Sequence, residues 1–124
     1  MDYKDLEKTS FFHWFGEISK IPRGSGNEKA ISDFLLKFGQ DRGLETVQDD
    51  ALNVIFKKKA TKGYEDRPTV ALQGHMDMVA VKEEDSDHDF EKDPIELLVE
   101  DGWVTANKTT LGADNGIAVA FALA

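Results

Sequence analysis

Large apolar side chains first recur at helical spacing. Phe11, Trp14, Phe15 and Ile18 stand at i, i+3, i+4 and i+7, which puts them on one stripe of a helix. Pro22 ends this segment, because proline lacks the N–H a continuing helix needs and disfavours helical backbone in the residue before it. Arg23-Gly24-Ser25-Gly26 reads as a loop, and Ser25 with Glu28 has the spacing of a capping box, which predicts a second helix starting there. Ile31, Phe34, Leu35 and Phe38 repeat the helical spacing. Arg42 falls in the last turn and Gly43 is the C-cap.

The period then shortens to two. Leu52, Val54 and Phe56 alternate with Asn53, Ile55 and Lys57, the pattern of a half-buried strand. Residues 57–67 form a polar connection. Residues 69–73 are a short, mostly apolar run ending at Gly74 and read as an interior strand buried on both faces. Residues 95–100 and 103–106 flank Asp101-Gly102, a two-residue hairpin signal. Beyond Gly112, residues 116–124 are small or apolar at every position. A helix apolar all round is expected to be buried on all sides. With no capping residue after it, the reading is of a truncation whose burying body lies downstream. A short terminal helix in a small domain, or one pairing between copies, is the alternative.

Charge narrows the function classes. The 124 residues carry 15 basic and 24 acidic side chains, a formal charge of −9. This balance disfavours nucleic acid and anionic membrane as partners, since both need a basic patch. No cysteine is present, so disulfides and thiolate metal sites are excluded and any metal must be held by His, Asp or Glu. The start of the chain lacks the apolar core of a signal peptide, and no apolar run approaches the roughly 20 residues that span a bilayer. The expected location is cytoplasmic.

Two constellations can carry chemistry. In Gly74-His75-Met76-Asp77-Met78-Val79, extended backbone would project His75 and Asp77 on one face. A carboxylate accepting one imidazole N–H aims the other nitrogen at a metal, although an ordinary hydrogen-bonded pair has the same pattern. In Thr109-Thr110-Leu111-Gly112-Ala113-Asp114-Asn115-Gly116, Asp114 precedes the apolar helix. It reads either as the helix cap or as a metal ligand at the helix start. Elsewhere, His13 reads as a packing or surface residue, His88 as solvated among acids, the acidic run of residues 83–93 as a charged loop, and Arg23 as structural or solvated.

Taken together, the two constellations resemble the metallopeptidases of the zinc aminoacylase, carboxypeptidase and dipeptidase family, peptidase family M20. Phe12-His13-Trp14-Phe15, residues 21–28, residues 73–79 and residues 110–116 look most like its aminoacyl-histidine dipeptidase branch, and the resemblance runs through the whole chain in order. It implies an α/β fold: residues 1–124 as the N-terminal portion of a mixed-sheet, helix-flanked catalytic domain, with the lid or dimerisation domain absent. It implies two zinc ions per full-length subunit, with cobalt or manganese as substitutes. His75 is then a zinc ligand, Asp77 the catalytic-site residue that orients it, and Asp114 the carboxylate bridging both ions, with a cis peptide before Asn115. The general-base Glu and the remaining ligands would follow position 124.

The implied activity is hydrolysis of Xaa-His and related dipeptides by a homo-oligomer, with the fragment itself inactive. Another hydrolase of the family or a non-catalytic binding module are the rival readings, separated by whether His75 and Asp114 converge.

Overall fold

The computed structural model describes residues 1–124. Two compact units divide the chain: residues Met1–Ile31 with Gln73–Ala124, and residues Ser32–Leu72.

The first unit opens with a short helix, α1 (Tyr3–Leu6), closed by a reciprocal cap between Asp2 and Asp5. The Tyr3 hydroxyl donates to the Phe12 carbonyl at 2.7 Å, tying α1 to α2 (Ser10–Ser19). Helix α2 stops three residues before Pro22, as expected. Its Phe15 and Ile18 are buried, each stabilising the fold by about 1.5–3 kcal/mol, whereas His13 is exposed. They pack on α4 (Ala113–Leu123) at Gly116, where an added Cβ would come within 3.1 Å of the Phe15 ring. Gly116, Ala120 and Leu123 form the buried stripe of α4. The remainder of α4 is not covered: Ile117 is 44% and Phe121 63% exposed, although Phe121 stacks on Phe11 with ring centroids 4.2 Å apart. Within this chain α2 covers one stripe, and the other apolar positions face solvent.

The hairpin of β3 (Leu97–Glu100) and β4 (Trp103–Ala106) pairs Leu97 with Ala106 and Glu100 with Trp103. Asp101 and Gly102 both take positive φ, 50° and 83°, as a type I′ turn requires. The Ile95 N–H donates to the Ser19 carbonyl at 2.9 Å, which attaches the hairpin to the end of α2.

In the second unit lies most of α3 (Lys29–Asp41) and the hairpin of β1 (Glu45–Gln48) and β2 (Val54–Lys57). Phe38 faces Phe56 with centroids 5.7 Å apart, and the Ser32 hydroxyl donates to the Leu52 carbonyl at 2.7 Å. The alternation expected at Val54–Lys57 holds: Val54 and Phe56 turn inward, Ile55 and Lys57 outward.

Three local expectations change. The strands form two separate two-stranded antiparallel sheets, so the mixed sheet does not form within this chain. Residues 69–73 are not a strand, and Val70 and Leu72 are 80% and 77% exposed. A strand exists by pairing, and no segment of the chain pairs with this one. Third, His88 is half-buried rather than solvated, lies edge-on to Phe90 and leaves its Nε2 buried without a partner. No helix is long and apolar enough to cross a membrane.

Candidate metal centre

Residues 74–82 run as an extended segment between two others in the first unit. On one side the Met78 N–H donates to the Arg23 carbonyl at 2.9 Å and the Ser25 N–H to the Met78 carbonyl at 3.0 Å. On the other, the Glu83 N–H donates to Lys108 and the Thr110 N–H to Val81, both at 2.9 Å. This double attachment brings the 75–77 stretch beside the turn that starts α4. Gly74 permits the close approach, since a Cβ there would come within 2.7 Å of the Ala118 Cβ. Gly74→Ala is expected to push the segment off α4 and destabilise the unit by about 1–3 kcal/mol, readable as a lowered thermal midpoint.

His75, Asp77 and Asp114 meet at this junction. The His75 Nδ1 lies 2.9 Å from Asp77 Oδ1 and 3.0 Å from the Asp77 carbonyl oxygen. The Nε2 on the other side of the ring lies 3.0 Å from Asp114 Oδ1. Asp114 (φ −91°, ψ 101°) and Asn115 (φ −117°, ψ 32°) are non-helical, so the regular turns of α4 begin after them. The Asp114 side chain is 96% exposed and its Oδ1 bonds to His75 rather than to a backbone N–H of the helix. The Asp114–Asn115 peptide is cis.

Ser25 was expected to cap the following helix. Instead its hydroxyl donates to Asp77 Oδ2 at 2.6 Å, and α3 begins only at Lys29. That bond spans 52 residues, and nothing local in the sequence announces it. Of the two readings of Arg23, structural or solvated, the structural one holds. Arg23 is 2% exposed, and its guanidinium donates to the Met76 carbonyl at 3.2 Å and the Gly112 carbonyl at 2.9 Å. Burial pulls its pKa down to about 10, against the opposing pull of Asp77, so it stays charged at neutral pH.

The titrations follow from these contacts. The Ser25 hydroxyl is the main cause holding the Asp77 carboxyl below the usual range; partial burial opposes it and His75 adds to it. For His75, desolvation is the largest single influence and lowers the pKa, but hydrogen bonds to Asp114 and Asp77 together outweigh it and the net shift is upward. A raised histidine contributes stability below its unfolded value that is lost as pH rises through the folded one. A depressed aspartate contributes stability above its unfolded value that is lost as pH falls through the folded one. Both contributions are complete between about pH 4 and pH 6.5, and solvent screening keeps them small at this exposure.

The donor set suits a zinc-type cation in part. An imidazole and a carboxylate are ligands of the right chemistry, and donors of one tetrahedral zinc stand roughly 3.3 Å apart, close to the observed spacing. They form one edge of a site and do not complete it: nowhere does the chain gather three or more His, Cys, Asp or Glu able to hold a metal.

No protein-family model matches the chain. Over 110 residues it is 43% identical to the cytosol non-specific dipeptidase of Escherichia coli (strain K12), a match covering 89% of this chain and 23% of that protein. The crystal structure of an aminoacylhistidine dipeptidase from Vibrio alginolyticus has the same fold over 99% of this chain and 25% of its own, with a TM-score of 0.94 and 41% identity. The chain thus spans about a quarter of the length of these relatives. It is a homologue of one segment of these hydrolases, and more narrowly of the aminoacylhistidine, or cytosol non-specific, dipeptidases; the α/β resemblance read from its motifs holds.

Proposed function

We propose that residues 1–124 are the N-terminal portion of the catalytic domain of a cytoplasmic, metal-dependent dipeptidase acting on Xaa-His and related dipeptides, and that the segment alone does not catalyse. His75 and Asp114 would hold its zinc ions, and Asp77 would orient His75. The observation that carries this reading is that Asp114, at a non-helical position where α4 begins, turns an exposed carboxylate to within 3.0 Å of His75 Nε2. The names of both relatives favour dipeptides over the acylated amino acids or tripeptides of sister enzymes. Cobalt or manganese would serve the same oxygen and nitrogen donors.

A zinc pair supplies Lewis acidity toward the scissile carbonyl and toward water. The work of this chain is to hold it. Asp77 keeps a proton on His75 Nδ1, which leaves the Nε2 lone pair for the metal. Ser25 keeps the Asp77 carboxylate turned to the imidazole. The exposed apolar residues Ile117, Phe121 and Trp103 support a further interface, including one between copies of the full-length protein.

The test is hydrolysis of β-alanyl-histidine by the full-length protein, abolished by a chelator and restored by zinc. Turnover that survives complete metal removal would overturn the reading. A pH experiment separates a metal pair from a hydrogen-bonded one. The metal-free contact is expected to be firm while His75 is protonated and to loosen as pH rises through its raised pKa. Zinc affinity should rise over the same increase, because the metal needs neutral imidazole. Calorimetric titration at several pH values reads the second trend.

A further inference from the structure

Arg23 lies outside the ligand set, yet its side chain touches the backbone of both segments that carry it. Nη1 donates to the carbonyl of Met76, the residue between His75 and Asp77. Nη2 donates to the carbonyl of Gly112, two residues before Asp114. The main chain of the same loop is registered on the first segment through the Arg23 and Ser25 bonds to Met78. The side chain therefore crosses from a fixed base to the start of α4.

Room for the guanidinium is made by glycines. A Cβ at Gly112 would stand 2.6 Å from Nη2 and one at Gly116 2.9 Å from it. The group is not placed for its own solvation, since Nε is buried with no partner. An apolar side chain of similar volume would fill the space without that orphan. Such a side chain would lack what arginine has, a rigid planar fork that offers N–H groups to two acceptors at once.

We infer that Arg23 is a positioning residue of the His75–Asp114 pair: by bonding the Met76 and Gly112 carbonyls together, it sets the distance between imidazole and carboxylate. What the pair does with that distance rests on the metal reading above; the distance itself does not.

The experiment follows the metal-free 124-residue chain by NMR, reading the cross-peak between the His75 ring Hε1 and the Asp114 Hβ protons. It is expected in the wild type and lost in Arg23→Met, while the methyl resonances of the buried core residues Ile31 and Leu35 stay in place. Arg23→Lys keeps the charge but offers a point donor in place of the fork, so the peak should weaken there too; this variant covers the case in which Arg23→Met does not fold. Ile18→Val, a core change that also lowers stability, should leave the peak intact. A wild-type cross-peak in either folded Arg23 variant, or an equal loss in Ile18→Val, overturns the inference.

A second arm measures zinc affinity of the full-length protein by chelator competition, where Arg23→Met should cost about tenfold or more. If the peak responds as expected but the wild-type full-length protein binds no zinc, the metal reading falls and the positioning role stands. If the peak does not respond, the positioning role falls whatever zinc does.

Discussion

Asp114→Asn in the full-length protein is expected to abolish dipeptide hydrolysis and strip most of the bound metal, with little change in fold. Asparagine is nearly isosteric and retains a side-chain oxygen that can accept from His75 Nε2. If the 3.0 Å contact were only a hydrogen bond, the substitution would be mild. If Asp114 bridges two cations, losing its charge weakens both sites together. The loss should exceed the about 10–100-fold in metal affinity or activity that removing an outer partner of a ligand typically costs. His75→Ala should match it in activity while removing one ligand from one ion. Neither side chain stabilises the core, since the His75 and Asp114 side chains are 52% and 96% exposed, so thermal midpoints of the metal-free proteins should move little, any further drop in the presence of zinc reporting lost metal. Metal content by atomic absorption and kcat for an Xaa-His dipeptide provide the two readouts. An Asp114→Asn protein with full metal and near-normal kcat would contradict the assignment.

The isolated 124-residue chain is expected to give no measurable hydrolysis of dipeptides and to bind zinc only weakly. A catalytic zinc normally takes three protein ligands plus water, and two such ions sharing one carboxylate need more donors than His75 and Asp114 supply. No third His, Asp or Glu completes a metal site in the chain; Asp77 faces the far side of the imidazole. Steady turnover by the purified segment, or tight stoichiometric zinc binding lost in His75→Ala, would show that these donors suffice.

The parts of this molecule that were legible in its sequence are those with short-range causes. Helices α2 and α3 follow from apolar stripes within one or two turns, and the β3–β4 hairpin from Asp101-Gly102, whose positive φ values suit few other residue pairs. The candidate ligands His75 and Asp114, and Asp77 beside them, were legible because each sits in a motif with a resemblance behind it. Read from residues alone, Asp114 suited a helix cap better than a ligand; the resemblance pointed the other way, and the side chain turns to His75 rather than to the helix N–H groups.

What was not legible depends on partners distant in the chain. Residues 69–73 have the composition of a buried strand, but pairing decides whether a strand forms, and composition does not report it. Residues 117–123 read as a helix buried all round by a body outside this chain; which stripe is covered within it, the one against α2, was not legible. Ser25 looked like a helix cap because Glu28 follows at the right interval. Its actual acceptor, Asp77, is 52 residues away. Arg23 bonds to carbonyls 53 and 89 residues distant, and no local spacing predicts such contacts. Helix α1 was missed because its reciprocal cap uses Asp2 and Asp5 rather than the Ser/Thr with Glu/Gln pairing of the usual box.

The central claim is that His75 and Asp114 converge in order to share a cation. Crystals of the full-length protein grown with zinc, measured on either side of the zinc absorption edge, test it most directly. The account predicts two anomalous peaks, one in contact with His75 Nε2 and both in contact with the Asp114 carboxylate. Peaks that lie elsewhere, with His75 and Asp114 still bonded only to each other, would contradict it.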